Sequence, residues 1–207
     1  MYSRKRRFRL FRAFGPVVDA LRLQLSTSLT AYDAATANDW VKITKAEYDG
    51  IASAISGATK RGNTDTQINT REVNTSTVEV QFADPSSSSI PIAIELGEYV
   101  IAFIAEPYNG SGTVQFGTTT TFHTGTPTYG NSVTATGGGR NYYVRKTPTT
   151  PASQTLYPGL KASLGGYSLN AVSGTKGWYT LNGGSTWVAQ ENNAAKFQMI
   201  VTSTKSW

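Results

Sequence analysis

With 207 residues, of which 39% are apolar and 11% aromatic, the chain is long enough for one well-buried domain and too short for two large ones. Its 20 glycines and its low share of charged residues, 15%, favour turn-rich β structure and argue against a helix bundle or a disordered chain. The net charge is +6, and the absence of cysteine excludes disulfides, thiolate metal ligands and a cysteine nucleophile.

The positive charge is concentrated at the N-terminus. Six of the 19 basic residues lie between positions 4 and 12, and the 13 that remain are balanced by 13 acidic residues downstream. A cation cluster at one end of a chain is suited to contacting phosphate, on nucleic acid or on lipid headgroups. Phenylalanine recurs every three positions among these cations, a stripe that suits an interface. The candidate nucleic-acid- or membrane-binding arm consists of Arg4, Lys5, Arg6, Arg7, Phe8, Arg9, Phe11, Arg12 and Phe14.

Three kinds of partner could bind this positively charged arm. Arginine and lysine bind nucleic-acid phosphates without sequence preference and with strong salt dependence. Cations interleaved with aromatic side chains also anchor at an anionic lipid surface. A third interpretation is that the arm threads between neighbouring subunits. The sequence therefore leaves genome, membrane and protein open as partners.

Two helical segments are predicted after the cation cluster, the first of them still within the arm. The Gly-Pro pair at 15–16 interrupts the phenylalanine stripe of the arm. Residues 17–25 then carry apolar side chains at helical spacing. The predicted buried face of this segment consists of Val17, Ala20, Leu21 and Leu25.

The second and clearer helix begins at Thr44, because Glu47 three residues later completes a capping box and Ile43 can pack as a hydrophobic staple. Gly57 is the predicted stop at position C′. The predicted apolar face of this helix consists of Tyr48, Ile51, Ala52 and Ile55.

From about residue 72 the hydrophobic period changes to two, as in β-strands. Residues 78–82 alternate apolar and polar side chains, whereas residues 99–105 are apolar on both faces, which predicts a central core strand. So many short strands between Gly-, Pro-, Thr- and Asn-rich turns predict a mainly β fold, a jelly-roll or related antiparallel β-sandwich. Further strands are predicted at 113–116, 119–123, 141–146, 167–172, 177–181, 186–190 and 197–204.

Groups for catalysis and metal binding are scarce. The single histidine, His123, has no neighbouring aspartate or nucleophile motif, and one imidazole without thiols cannot build a usual zinc site. Glu95, Glu98 and Glu106 bracket the core strand, but polysaccharide hydrolysis needs two carboxylates about 5–10 Å apart in a cleft. The glycine run at 137–139 lacks the lysine and helix of a phosphate-binding loop. We therefore expect a non-enzymatic protein without metal or cofactor.

Three aromatic residues form a possible glycan-binding site. Trp178, Tyr179 and Trp187 flank a predicted hairpin turn at 182–184. Exposed rings in such a hairpin can stack on sugar faces. Packing in the core or across strands is the competing interpretation.

The N-terminal sequence Met-Tyr-Ser-Arg-Lys-Arg-Arg-Phe-Arg resembles the arginine-rich starts of small viral capsid proteins, whose arms face the packaged genome. The Thr-, Ser- and Gly-rich body, ending in Phe-Gln-Met-Ile-Val-Thr-Ser-Thr, is similar in composition to capsid, vertex and fibre-type β domains of bacteriophages. The resemblance implies one sandwich assembled around a symmetry axis, with its arm directed inward.

These observations together predict an oligomeric structural component of a virion, a penton or other minor capsid protein of a bacteriophage. Its expected partners are other capsid proteins and further copies of itself, with the viral genome or an anionic internal membrane at the arm. The expected organisation is a basic aromatic arm at 1–30, a helical module at 31–71 and a β-sandwich at 72–207. The alternative function is a receptor- or glycan-binding spike or fibre module that recognises a host surface glycan.

Overall fold

The chain is described here from a computed structural model. The structure describes residues 15–63, 68–70, 77–83, 98–105, 111–119, 128–136, 139–146, 157–163, 170–172, 176–180, 188–190, 194–195 and 197–203.

Three helices lie near the start of this part of the chain, and strands dominate the rest. The helices are α1 (Gly15–Gln24), α2 (Leu29–Ala34) and α3 (Lys45–Ala54). The strands are β1 (Trp40–Ile43), β2 (Thr59–Asn63), β3 (Ile68–Thr70), β4 (Thr77–Ala83), β5 (Glu98–Ala105), β6 (Ser111–Thr119), β7 (Thr128–Tyr129), β8 (Val133–Thr136), β9 (Asn141–Arg145), β10 (Tyr157–Ser163), β11 (Asn170–Val172), β12 (Lys176–Thr180), β13 (Val188–Gln190), β14 (Ala194–Ala195) and β15 (Phe197–Ser203).

The described strands form three sheets, and every pairing in them is antiparallel. Sheet 1 has the order β1-β9-β5-β15-β2. Sheet 2 has the order β13-β12-β4-β10-β6-β7, with β8 also paired to β6. Sheet 3 has the order β14-β11-β3. The prediction of a mainly β, antiparallel protein is confirmed.

Strand β5 is the centre of sheet 1, as its apolar character on both faces predicts. Opposite it in β15, Ile200 pairs with Ala102 and Val201 pairs with Val100, so Ile101 is an extra residue in β5. A bulge of this kind interrupts the alternation of side chains. As a result Ile101 and Ala102 both belong to the core that the helices cover.

The helices pack on one face of sheet 1. A helix that lies on a sheet buries one apolar stripe, and α1 and α3 do so with the residues predicted from their periodicity. The shared core consists of Val17, Leu21, Leu25, Tyr32, Ile43, Tyr48, Ile51, Ile55, Tyr99, Ile101, Ala102, Ile104, Val144 and Ile200.

The other face of sheet 1 meets sheet 2 through a cluster of aromatic rings. The Phe103 ring lies 4.7 Å from the Trp40 ring, 5.0 Å from the Phe116 ring and 4.7 Å from the Tyr143 ring, centroid to centroid. Rings at such distances, whether stacked, tilted or edge-on, add to the energy of burial. Because Phe116 belongs to β6, this aromatic cluster joins the two sheets.

The capping box of α3 is confirmed: the Thr44 side chain accepts from the Glu47 N–H, and the Glu47 carboxylate accepts from the Thr44 N–H. The predicted stop, with Gly57 at C′, is wrong by one residue, because position 56 is C′. The helix ends with Ile55 as the extended C-cap, and Gly57 uses its positive φ of 75° in the turn that follows. The helix therefore ends at Ile55, a β-branched residue with an extended backbone.

Within the segment predicted as a helical module, β1 and β2 are strands of sheet 1. They pair with β9 and β15, which come from the segment predicted as the sandwich. Strands β1, β2, β3, β7, β8, β10 and β14 were not predicted. The predicted strand at 119–123 shares one residue with β6, and its remainder lies outside the described residues. Among those residues, no helix is long and apolar enough to cross a bilayer.

Candidate functional site

Most of the residues that the sequence singles out lie outside the described part of the chain. The arm residues at 4–14 do, as do Trp187, Glu95, Glu106 and His123. Trp178 and Tyr179 lie in β12, between β4 and β13, and the antiparallel pairing of β12 with β13 matches the predicted hairpin.

Glu98, the remaining candidate carboxylate, is engaged in an ion pair at the start of β5. Both of its oxygens accept from Arg61 Nη2, at 2.8 and 2.7 Å. Neither side chain is more than 28% exposed. This charge-assisted pair links β5 to β2 across β15.

A buried carboxylate fastens the arm-bearing helix to the body. Glu47 Oε1 accepts from the N–H groups of Thr27 and Ser28, each at 2.8 Å, just after α1. Glu47 Oε2 accepts from Ser28 Oγ at 2.8 Å and from the Thr44 N–H at 2.7 Å. We call this set of hydrogen bonds the Glu47 clasp. Burial by itself would raise the pKa of Glu47, but the donors from Thr44, Ser28 and Thr27 outweigh it and lower the pKa to about 2.

An open pocket of about 270 Å³ lies where the edge of sheet 1 meets β6 and β7 of sheet 2. We call it the Arg145 pocket, after the charged side chain that lines it. Its other lining residues, among those described, are uncharged: Asn38, Trp40, Phe116, Gly117, Thr128, Tyr129 and Gly130.

Two glycines allow the walls of this pocket to approach each other. Gly117 pairs directly with Tyr129, and a Cβ on Gly117 would lie 2.7 Å from both Thr128 O and Tyr129 Cδ1. A Cβ on Gly130 would lie 3.1 Å from Trp40 Cδ1. Glycine is therefore required at 117 for β7 to pair closely with β6, and at 130 it allows the backbone to lie against the buried Trp40 indole.

Hydrogen bonds hold both walls in place. The Gly130 N–H donates to Phe116 O at 3.0 Å, and the Gln115 amide donates to Gly130 O at 3.0 Å. The Trp40 N–H donates to Asn131 Oδ1 at 2.6 Å, while Asn131 Nδ2 donates to Trp40 O at 3.2 Å. The Asn131 side chain thus pairs with β1 as a neighbouring strand would.

Replacing Asn131 by alanine is expected to lower the free energy of unfolding by about 1–3 kcal/mol, because two half-buried backbone groups of Trp40 would lose their partners. Urea unfolding followed by far-UV circular dichroism measures this. The control is Ser132→Ala at the exposed neighbouring position, where we expect a change within about 0.5 kcal/mol. Equal midpoints for the two variants would contradict the bridging role of Asn131.

Arg145 is the unusual group of the pocket. Its guanidinium carbon lies 6.0 Å from the centroid of the Trp40 ring, and its Nε is buried without a hydrogen-bond partner among the described residues. Burial lowers the pKa of Arg145 from its ordinary value. In the part of the chain that the structure describes, no carboxylate forms an ion pair with Arg145. The pocket therefore presents a partly desolvated cation to which these residues supply no counter-charge.

A second recess, of about 280 Å³, contains more charge, and its one carboxylate already pairs with two of its cations. Lys45, Lys60 and Arg140 line it together with Asp49 and Tyr142. Asp49 forms ion pairs with Lys45 and, at 3.4 Å, with Lys60. Since these lysines already have a carboxylate partner, this recess is a weaker candidate for ligand binding.

Within the described ranges, no group of three His, Cys, Asp or Glu side chains could hold a metal ion. Comparisons of the chain with protein-family models, with curated proteins and with solved structures gave no match. The function of the protein is therefore inferred from the residues of this chain alone.

Sequence reasoning did not find the Arg145 pocket. Arg145 stands in the predicted strand at 141–146 with an ordinary alternating pattern around it, and nothing local marks it as unpaired. The one available signal was the pair Tyr129-Gly130 between strand-like segments, which indicates a turn beside an aromatic residue.

Proposed function

We propose that this chain is a non-enzymatic structural subunit of a virus particle, a minor capsid or penton-type protein of a bacteriophage. A jelly-roll-related sandwich is part of the proposal. The observation that carries it is the separation of charge: six of 19 basic residues lie at positions 4–12, ahead of a remainder with 13 basic and 13 acidic residues. A neutral body with a cationic end suits a subunit that packs with its neighbours and extends an arm to an anionic partner.

The point where the arm leaves the body supports this proposal. The arm leads into α1, whose inner side chains Val17, Leu21 and Leu25 are at most 1% exposed. Leu23, on the outer side of the same helix, is 81% exposed, and it is the one large apolar side chain so exposed among the residues whose burial is described. A fixed inner face and an apolar outer residue beside the arm favour a contact with another subunit or a lipid surface here.

The virion role is tested by identifying the proteins of purified particles by mass spectrometry and by measuring the mass of the purified chain with light scattering. We expect the chain in the particles, at a constant ratio to the major shell protein, and an oligomer in solution. A monomer in solution that is also missing from the particles would refute the proposal.

The affinity of the arm for single-stranded DNA is expected to depend on the salt concentration. If all six arm cations contact phosphates of single-stranded DNA, the slope of log K against log salt is expected to be about −4. Replacing those six cations by serine should bring the slope close to zero. Co-sedimentation with single-stranded DNA, and separately with anionic liposomes, measures this across a salt series.

The matched control replaces Phe8, Phe11 and Phe14 by serine and keeps every charge. Loss of liposome binding in this control, with DNA binding retained, would identify a membrane-facing arm, whereas loss of DNA binding only in the cation variant would identify a genome-facing arm. If neither ligand binds, the arm contacts subunits, and deleting residues 1–14 should then reduce the oligomer mass. An unchanged oligomer in that case would contradict every role proposed for the arm.

A further inference from the structure

The Arg145 pocket contains a charge that the described part of the fold does not neutralise. Arg145 is the only charged residue among the described side chains that line it, and its buried Nε has no acceptor there. A desolvated cation without a partner is costly, and proteins retain such groups where a ligand supplies the missing charge. This feature is independent of the proposed virion role, which depends on the arm and not on this pocket.

The form of the pocket favours a small ligand over a protein surface. Its volume of about 270 Å³ is just below the range of about 300–1,000 Å³ typical of pockets for drug-sized molecules. A subunit interface, in contrast, buries a broad area on each partner. The recess is suited to a single ring-sized group.

The residues that line the pocket include groups that bind sugars and one group that binds a carboxylate. The rings of Tyr129 and Trp40 line the pocket, and the Asn38 amide and the Thr128 hydroxyl can exchange hydrogen bonds with sugar hydroxyls. Arg145 presents a planar fork of donors, which matches the two oxygens of a carboxylate. We propose that the Arg145 pocket binds one carboxylate-bearing monosaccharide unit of a glycan, with Arg145 bound to its carboxylate.

The scaffold around Arg145 prepares it for this role. The Lys146 N–H donates to Asp39 O at 2.7 Å, and the Asn38 N–H donates to Lys146 O at 3.1 Å. These bonds tie the end of β9 to the segment before β1, where Asn38 adopts a positive φ of 76°. Asn38 and Arg145 are therefore held on the same side of the pocket before any ligand enters.

The test compares two sugars that differ only at the acid group. Methyl β-D-glucuronide carries a carboxylate where methyl β-D-glucoside carries a hydroxymethyl group. We expect the full-length chain to bind the glucuronide about 10- to 100-fold more tightly than the glucoside, by isothermal titration calorimetry. Equal affinities, or no binding of either sugar, would overturn the proposal.

Two variants separate a binding role of Arg145 from a structural one. Arg145→Met should abolish the preference for the glucuronide while leaving the Tm of the unliganded protein unchanged or raised by a few degrees, because it removes an unpaired buried charge. Arg145→Lys keeps the charge but loses the fork, so we expect partial selectivity. A lower Tm for Arg145→Met with the sugar preference intact would show that Arg145 is structural and would overturn the proposal.

Two further probes identify other sources of the anion. Inorganic phosphate that binds as tightly as the glucuronide would indicate a general anion site and overturn the sugar assignment. N-acetylglutamate methylamide that binds when the glucuronide does not would show that the pocket accepts a protein carboxylate, and would likewise overturn it. Binding of the glucuronide alone supports the proposal.

Discussion

Replacing Glu47 by alanine is expected to lower the free energy of unfolding by about 3 kcal/mol. The reason is that the N–H groups of Thr27, Ser28 and Thr44 all donate to this one carboxylate, and alanine would leave them without a partner. Urea unfolding near neutral pH measures the effect. Glu47→Gln, which keeps one acceptor oxygen, should lose about half as much.

The same residue makes the free energy of unfolding depend on pH. The pKa of Glu47 is about 2 in the folded state against an ordinary value of 4.5, so its stabilisation is complete above pH 4.5 and is lost as the pH falls towards 2. Allowing for screening by solvent, we expect a loss of about 1–2 kcal/mol between pH ~6 and pH ~3. Glu47→Gln should lack this part of the pH dependence. Parallel pH profiles for the two proteins would contradict the assignment.

Replacing Phe103 by alanine is expected to lower the free energy of unfolding by about 3–5 kcal/mol. Phe103 is completely buried, and its ring contacts the rings of Trp40, Phe116 and Tyr143, so the cavity would open between the two sheets. Thermal and urea unfolding measure the loss. The Trp40 wall of the Arg145 pocket would also lose its support, so we expect glucuronide binding to weaken in this variant.

The matched control for Phe103 is Leu23→Ala. It also shortens a large apolar side chain, but one that is 81% exposed in the single chain, so the expected change is within about 0.5 kcal/mol at a protein concentration low enough to separate the proposed subunits. A similar loss in both variants would indicate that unfolding under these conditions does not report on the core between the sheets.

The sequence was most informative where the determining contacts are local. The capping box needs only Thr44 and Glu47, three positions apart, and the helix it predicts is present. The central position of β5 follows from its apolar character on both faces, which is a property of the strand alone.

Elements whose contacts are distant in sequence were missed. No strand was predicted at residues 40–43, yet Trp40 begins β1 because its partners are Arg145 in the neighbouring strand β9 and Asn131, 91 positions away. The full role of Glu47 was missed for the same reason, since Ser28 precedes it by 19 positions. Whether a described residue pairs with Arg145 depends on everything that surrounds it in space, and no local pattern encodes that.

The position of the Glu47 clasp determines how the body would respond to a pulling force on the arm. The clasp follows the C-terminal end of α1, whereas the arm joins the helix at its N-terminal end. Tension applied at residue 15 must therefore act on the whole buried face of α1 before it reaches the hydrogen bonds of Thr27 and Ser28. Acidification, which weakens the clasp, would lower the force needed to detach this helix, so the mechanical strength of the arm's attachment would depend on pH.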